Sequence, residues 1–249
     1  MVEFFRMSIA GKNIEVECYN RTVFRQCKQY LSEFDTPDLM ISTTIDELEE
    51  EAAGLPPITE SYTGVATTRF YGDIESLVVQ RKIAEGMIPF NTFLMHGSVV
   101  ANGDQAYMFT APSGTGKTTR IRLWKELYPD AVIVNGDKPL IKIEENEVIA
   151  CGTPWAGKEG WNTNIMVPLR AIFLLERTAE KEKTSIKELS LGEAFPFVLQ
   201  QVYRPMDSDL MRKTILLLKA MAGRVKFYQF RSDRTHEAVK LAFETARTK

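Results

Sequence analysis

YMFTAPSGTGKTTRIRLW, residues 107–124, is the stretch that decides the fold of the larger part of the chain. An apolar run at 107–110 is followed by a small, glycine-bearing segment at 111–116 and by a segment of helical character that opens at Lys117. This order predicts a strand, a tight loop and a helix, with the loop placed at the helix N-terminus. Unpaired backbone N–H groups and the helix dipole both favour negative charge at such a place. The stretch therefore predicts a loop that holds an anion.

The loop fits the phosphate-binding pattern G-x-x-x-x-G-K-[ST] when Ala111 takes the place of the first glycine. Gly114 and Gly116 allow positive φ and a close approach of the backbone to an anion. Lys117 provides an ammonium for the β- and γ-phosphates of ATP, and the Thr118 hydroxyl can ligate the accompanying Mg²⁺. The alternative is a glycine turn without a ligand, and the flanking strand and helix favour nucleotide binding. The predicted nucleotide-binding residues are Ser113, Gly114, Thr115, Gly116, Lys117, Thr118 and Thr119.

The bulk composition is that of an ordinary globular protein. With 249 residues, 44% hydrophobic and 26% charged, the chain suits one large domain or a core with a smaller companion. The formal net charge is -2 and there is no polybasic run, so nothing favours a nucleic-acid partner. No apolar run approaches bilayer length, and Cys18, Cys27 and Cys151 form no C-x-x-C pair. These features predict a cytoplasmic protein with reduced thiols and no membrane partner.

The first part of the chain is predicted to be a small α+β region. Thr44-Ile45-Asp46-Glu47 has the form of a capping box and therefore predicts the start of a helix. Pro56 and Pro57 have the character of a linker. We assign residues 1–90 to this region, packed on or contiguous with a nucleotide-binding, kinase-like core at 91–249. The predicted elements are a hairpin over 8–18, a strand over 39–43 and helices over 45–53 and 73–87.

Around the loop, the pattern changes to buried strands joined by tight turns. A strand is predicted over 93–100, and the turn signal Asn102-Gly103-Asp104 returns the chain as the strand at 105–110 that delivers the loop. An antiparallel neighbour for this strand predicts an α/β fold with a mixed sheet instead of an all-parallel one. The remaining predicted elements are helices over 117–127, 207–223 and 233–246 and strands over 131–134, 147–151, 164–176 and 225–230.

Asp137 is the first acidic residue after the strand that follows the loop helix. Phosphoryl-transfer sites of this type need an acidic group at a strand end to hold Mg²⁺, so Asp137 is predicted to be a metal ligand or a catalytic carboxylate. Asn135-Gly136 is also a hairpin signal, with 140–143 as the returning strand. In that alternative the Asp137 carboxylate faces solvent. The sequence supports these two interpretations of Asp137 equally.

Two further features are candidates for the site. The segment 152–161 contains several glycines and two tryptophans. It is either a lid that brings Lys158 and Glu159 to the transferred group or a long turn over buried indoles. His96 lies on the strand that precedes the loop hairpin, where it is either structural or close to the phosphates. The predicted catalytic residues are Lys117, Asp137 and His96, and the predicted metal ligands are Thr118 and Asp137.

Four segments together resemble the HPr serine kinase/phosphorylase family and its smaller kinase-like relatives. The S-G-T-G-K-T-T loop is also similar to that of ATP-dependent phosphoenolpyruvate carboxykinases. The resemblance covers about residues 93–177 and implies a mixed α/β P-loop core of the HPr kinase C-terminal and carboxykinase type. The segments are His96-Gly97-Ser98, Ser113-Gly114-Thr115-Gly116-Lys117-Thr118-Thr119, Asn135-Gly136-Asp137-Lys138-Pro139 and Gly152-Thr153-Pro154-Trp155.

The resemblance implies binding of ATP with Mg²⁺ and transfer of the γ-phosphoryl group to a hydroxyl, typically serine, of a protein, peptide or small-molecule acceptor. It implies Lys117 on the phosphates, Thr118 on the metal and Asp137 as metal ligand or general base. The family pattern has two adjacent aspartates where this chain has Gly136 and Asp137. A metal-holding carboxylate and a base are separate roles, which would here fall on one residue. The related kinases are oligomeric, which implies a homo-oligomer.

Three functions are consistent with this pattern. The first is an ATP-dependent kinase. The second is a nucleotide-binding regulatory or accessory module that has lost transfer chemistry with the missing aspartate, and the third is a protein that holds phosphate or a phosphorylated metabolite without turnover. The first two differ in the direction of the Asp137 carboxylate, which should face the Thr118 hydroxyl in a kinase.

Overall fold

A computed structural model of the protein describes residues 2–54, 71–177 and 184–247. The linker predicted at Pro56 and Pro57 lies outside these residues. The chain divides into two compact units, Met1–Gly86 and Met87–Lys249. Among the described helices, none has the length and the apolar character that a bilayer crossing requires.

A small sheet organises the described part of the N-terminal unit. Its strand order is β1-β2-β3, with β1 and β2 antiparallel and β2 and β3 parallel. The β1–β2 turn places Ala10 at φ 54° and Gly11 at φ 73°, which is the left-handed geometry of a two-residue hairpin. The predicted hairpin is therefore confirmed. The elements are β1 (Glu3–Ile9), β2 (Lys12–Cys18), α1 (Arg21–Gln26), a short 3-10 turn (Lys28–Tyr30), β3 (Leu39–Ser42), α2 (Ile45–Gly54) and α3 (Tyr71–Met87).

Glu75 of α3 is fully buried within this unit, and its carboxylate is satisfied by hydrogen bonds. The backbone N–H groups of Tyr19 and Asn20 each donate to it at 2.7 Å, and the Thr43 hydroxyl donates at 2.5 Å. A buried carboxylate is tolerated only when its oxygens are paired in this way. The Glu75 contacts therefore fix α3 against the ends of β2 and β3.

The C-terminal unit is built on a nine-stranded mixed sheet of the described residues. Its order is β4-β8-β9-β10-β6-β5-β7, with β12 on β10 and β11 on β12. The elements are a 3-10 turn (Ile88–Phe90), β4 (Thr92–Leu94), β5 (Ser98–Asn102), β6 (Gln105–Thr110), α4 (Lys117–Leu127), β7 (Val132–Asn135), β8 (Leu140–Ile143), β9 (Val148–Cys151), β10 (Met166–Arg177), β11 (Ser185–Leu189), α5 (Leu191–Gln201), α6 (Ser208–Ala222), β12 (Lys226–Ser232) and α7 (His236–Arg247).

The direction of the strands decides where the site lies. The loop strand β6 is antiparallel to β5 and parallel to β10, and β10 is in turn parallel to β12. The prediction of a mixed α/β sheet is therefore confirmed. The carboxyl ends of parallel strands lie at one sheet edge, where open α/β sheets bind their ligands. The loop at 111–116 follows β6 and thus lies at this edge.

Aromatic packing fixes α4 against the loop strand. Trp124 of α4 is fully buried, stacks on Tyr107 at 5.1 Å between ring centroids, and meets Phe109 edge-on at 5.7 Å. Phe109 stacks in turn on Phe173 of β10 at 5.2 Å. Replacing a buried aromatic of this kind by alanine costs about 3–5 kcal/mol. This packing therefore fixes β6 and α4, and with them the two ends of the loop, relative to each other.

The single strand predicted over 93–100 is wrong, because the structure has two strands there. β4 pairs with β8, whereas β5 pairs with β6 and β7. At the break, the His96 N–H donates to the Gln201 carbonyl at 2.7 Å and the Gly97 N–H donates to the Asp137 carbonyl at 2.9 Å. At His96 and Gly97, these hydrogen bonds to other segments take the place of hydrogen bonds between neighbouring strands. The break turns His96 towards the loop.

The three cysteines are expected to resist alkylation in the folded protein. Cys18, Cys27 and Cys151 are buried, and burial raises the pKa of each thiol to about 12. Because the thiolate is the reactive form, native labelling by iodoacetamide at pH 8 should be at least about 100-fold slower than labelling of the unfolded chain. Mass spectrometry before and after guanidinium treatment measures the difference. Rapid labelling of any one cysteine in the native protein would contradict this packing.

Candidate active site

The loop has the backbone conformation that its glycines predict. Gly114 has φ 77° and Gly116 has φ 117°, both in the left-handed region that disfavours side chains. Gly116 is the N-cap of α4, and no side chain caps this helix end. The N-terminus of α4 therefore presents its backbone N–H groups and its positive dipole end to the edge of the sheet.

Lys117 is held by the loop that precedes it. Its ammonium Nζ donates to the carbonyls of Ala111 at 2.8 Å and Pro112 at 3.3 Å, and the residue is only 7% exposed. Burial lowers the pKa of Lys117, and the nearby charge of Asp137 acts against that shift. An anion stabilises a partly desolvated ammonium more strongly than a solvated one, because charge interactions strengthen where water is excluded.

The segment around Asp137 is a turn organised by the buried Asn135 side chain. Asn135 Oδ1 accepts from the backbone N–H groups of Asp137 at 2.8 Å and Lys138 at 2.7 Å. Its amide Nδ2 donates to the Thr153 carbonyl at 2.9 Å. The strands on either side of this turn do not pair with each other, since β7 pairs with β5 and β8 pairs with β4 and β9. The hairpin alternative is therefore wrong.

Asp137 and His96 form a pair. His96 Nε2 lies 3.2 Å from Asp137 Oδ1, and His96 Nδ1 lies 3.1 Å from Gln201 Oε1, so both ring nitrogens have partners. Burial by itself would raise the pKa of Asp137. The hydrogen bond with His96 and the charges of Lys138, His96 and Lys117 outweigh burial and lower that pKa below 3.8. The Asp137 carboxylate is therefore ionised at neutral pH and is turned inwards against the imidazole.

One cavity of about 440 Å³ collects nearly all of the residues singled out from the sequence. Thr115 lines neighbouring cavities instead, and its N–H and hydroxyl are directed at the Pro112 carbonyl, at 3.4 Å and 2.9 Å. Asp137 and Thr118 both line this cavity. The lining residues are His96, Ser113, Gly114, Gly116, Lys117, Thr118, Thr119, Gly136, Asp137, Gly157, Lys158, Glu159 and Arg234.

The segment 152–161 combines the two predicted alternatives. Trp155 is 6% exposed and packs inwards, whereas Lys158 and Glu159 are exposed and line the cavity. The Trp161 ring lies 5.7 Å from the guanidinium of Arg122 on α4. Buried or stacked indoles thus anchor the segment while its tip reaches the cavity.

Two residues at the site were not anticipated from the sequence. Arg234 follows β12 and lines the cavity, where it adds a third cation to Lys117 and Lys158 against the carboxylates of Asp137 and Glu159. Gln201, at the end of α5, orients His96 through the contact described above. Arg234 lies between β12 and α7, at the sheet edge that carries the loop. Its position directly after a predicted strand was the one sequence feature that could have identified it as a site residue.

The structure has no room for a side chain at Gly136. A Cβ atom on Gly136 would lie 2.8 Å from the Ala156 carbonyl oxygen and 3.3 Å from the Trp161 carbonyl oxygen. Both obstacles are backbone atoms of the segment 152–161. The segment 152–161 therefore passes close to Gly136 and leaves no space for a side chain there.

Gly136→Ala is expected to destabilise the protein by about 1–3 kcal/mol, because overpacking against backbone forces the segment to move. Gly192→Ala is the matched control, since a Cβ at Gly192 meets nothing within 4 Å. Denaturant unfolding of both variants measures the difference. Gly136→Asp should be at least as unstable as Gly136→Ala and should not increase any phosphoryl transfer. A Gly136→Ala protein as stable as the wild type would contradict the close approach.

The donor set fits a nucleotide with Mg²⁺. Positive-φ glycines, a helix N-terminus and three cations suit a polyphosphate, and the Thr118 hydroxyl with the Asp137 carboxylate supplies the oxygen ligands that Mg²⁺ prefers. No group of three or more His, Cys, Asp and Glu side chains within the described residues forms a metal site by itself. The protein ligands thus suit an ion shared with phosphates better than a metal held by the protein alone.

Comparisons with known proteins add little to this geometry. No protein-family model and no curated protein matches the chain. Among solved structures, the chain is similar to the Hpr(Ser) kinase/phosphatase from Coxiella burnetii, with 11% sequence identity and a TM-score of 0.37. The match covers 62% of this chain and 95% of that one. A likeness of this size defines neither a family nor an activity.

Proposed function

We propose that the protein is an ATP-dependent kinase that transfers the γ-phosphoryl group to a hydroxyl, with serine as the expected acceptor. The observation that supports this best is the shared cavity of Lys117, Thr118 and Asp137, in which the carboxylate faces inwards and pairs with His96. A binding module without chemistry has no need of an oriented carboxylate and imidazole opposite a phosphate loop.

In the proposed reaction, the acceptor oxygen forms a bond to the γ-phosphorus while the bond to the bridging oxygen breaks. The electron pair of that bond leaves with ADP, and the hydroxyl proton passes to the Asp137 carboxylate. Lys117 and the α4 N-terminus stabilise charge on the phosphate oxygens. Bound Mg²⁺ would neutralise further phosphate charge, with Thr118 and Asp137 as the residues that hold it.

His96 has a positioning role in this proposal. Its Nε2 holds Oδ1 of Asp137, at 3.2 Å, and the remaining lone pairs of the carboxylate are those that would meet the metal and the acceptor proton. Gln201 fixes the ring from the opposite side through Nδ1. A base that is held in place in this way contributes typically about 10²–10⁴-fold to a transfer rate.

The direct test is incubation of the protein with γ-labelled ATP, Mg²⁺ and a panel of serine-bearing proteins, peptides and small hydroxyl compounds. We expect label on at least one acceptor class. Saturable ATP binding with no transfer to any of them, including water, would favour the regulatory module, and absence of ATP binding would overturn both.

A further inference from the structure

A second cavity, of about 600 Å³, borders the same loop. It is lined by the start of the loop, by strands β10, β11 and β12 and by helix α5. We propose that this cavity is a slot for the acceptor, and that it takes an extended, uncharged and mainly apolar peptide segment whose hydroxyl residue lies at the inner end. The inference that the residue at the inner end carries a hydroxyl rests on the proposed function.

The floor of the slot is one row of side chains across four neighbouring strands. Lys187 is paired in register with Gln229, Gln229 with Leu174, and Leu174 with Thr110, the last residue of the loop strand. Three strand spacings separate the ends of the row, which is about 14 Å. An extended chain advances about 3.3 Å per residue, so the slot has the length of about four peptide residues.

The roof of the slot is one face of α5. Its lining residues fall at positions i, i+4, i+7 and i+8, which lie on a single helical stripe. The neighbouring stripe, with Ala194 and Val198, is buried in the core and fixes the helix. Phe197 is 54% exposed although it lines the slot, so its ring is available to an incoming apolar group. The roof residues are Glu193, Phe197, Gln200 and Gln201.

The inner end of the slot meets the proposed catalytic pair. Gln201 bonds to the His96 ring, and the Thr110 hydroxyl donates to the His96 carbonyl at 2.7 Å. Ala111 and Pro112, whose carbonyls hold Lys117, also line this end. The lining residues at the inner end are therefore bonded directly to His96 and Lys117 of the first cavity, which favours the acceptor over the nucleotide base as the occupant.

The chemistry of the walls indicates an uncharged peptide. The one lysine of the slot, Lys187, is paired with Glu193 at 2.8 Å, and Glu176 accepts from Gln229 at 2.6 Å. The carboxylates of Glu176 and Glu193 outnumber this single lysine, which disfavours a phosphate or carboxylate as the occupant. Leucine and phenylalanine walls suit apolar side chains, and the glutamine amides offer donors and acceptors to a peptide backbone.

The test uses fluorescent five-residue peptides with serine at either end, flanked by Leu, Val and Ala or by Glu and Asp. Binding is measured by anisotropy with a non-hydrolysable ATP analogue present. The apolar peptides should bind at least tenfold more tightly than the acidic ones. Phe197→Asp should weaken apolar binding at least tenfold, with ATP-analogue affinity unchanged within twofold. Leu216→Asp, at a 58% exposed position on α6, is the control and should bind as the wild type does.

The outcomes separate the slot from the kinase proposal. Tight apolar binding that Phe197→Asp weakens, without any label transfer, would retain the slot and remove the kinase. Label transfer with no preference for apolar flanks and no effect of Phe197→Asp would retain the kinase and overturn the slot. Equal transfer to free serine and to the peptides would also overturn it, because the slot then adds nothing to acceptor binding.

Discussion

Replacing Lys117 by alanine is expected to lower phosphoryl transfer by about 10³-fold or more, because in the proposed complex its ammonium would neutralise charge on the β- and γ-phosphates. The residue is 7% exposed and its ammonium already lies against the loop carbonyls. The affinity for Mg-ATP should fall as well, since the lysine contacts the ground state. Labelled transfer and isothermal titration measure the two effects separately.

The control for this change is Lys240→Ala. The Lys240 side chain is 64% exposed on α7 and lies outside the cavity. It should bind ATP and transfer label as the wild type does. Circular dichroism of both variants verifies that they are folded. A folded Lys117→Ala protein with wild-type ATP affinity would contradict the assignment of the loop.

Asp137→Asn is expected to lower transfer by about 10²–10⁴-fold, the range for loss of a positioned base. Binding of ATP without Mg²⁺ should be unchanged or tighter, because the substitution removes a negative charge from the cavity. Binding with Mg²⁺ should be weaker, since a metal ligand is lost. Asp130→Asn, at an exposed residue before β7, is the matched control and should leave all three quantities unchanged.

The pH dependence of stability gives a second measurement on Asp137. Its pKa is lower in the folded protein than the ordinary 3.8. The ionised carboxylate therefore stabilises the fold above that pH, and the contribution is lost as pH falls through the folded pKa. Asp137→Asn should be less stable than the wild type at pH 7, and the difference should shrink as pH falls below the ordinary pKa of 3.8 towards the lower folded pKa. A constant difference across this range would contradict the proposed charge pairing of Asp137.

Local patterns in the sequence predicted most of the elements that form the site. The loop, its strand and its helix follow from the glycine spacing and the apolar run, and Asn102-Gly103-Asp104 predicts the hairpin that makes the sheet mixed. These predictions are correct because the residues that interact to form the elements are close together in the sequence. The placement of Asp137 could not be decided in this way, since Asn-Gly suits two structures and only long-range pairing chooses between them.

The features that the sequence did not reveal depend on contacts between distant segments. The break at His96 is made by bonds to Gln201 and Asp137, which lie far along the chain. The strand β11, SIKEL, was missed because it is short and three of its five residues are exposed. Its structure comes from pairing with β12, and the acceptor slot, which it helps to form, was missed with it.

In the proposed function, the loop between β6 and α4 cradles a polyphosphate. The most direct measurement is the NMR shift of the backbone N–H groups of Ser113, Gly114, Gly116 and Lys117 on titration with Mg-ATP and, separately, with adenosine. We expect saturable shifts of these amides with Mg-ATP and none with adenosine. Unchanged loop amides in the presence of saturating Mg-ATP would contradict it.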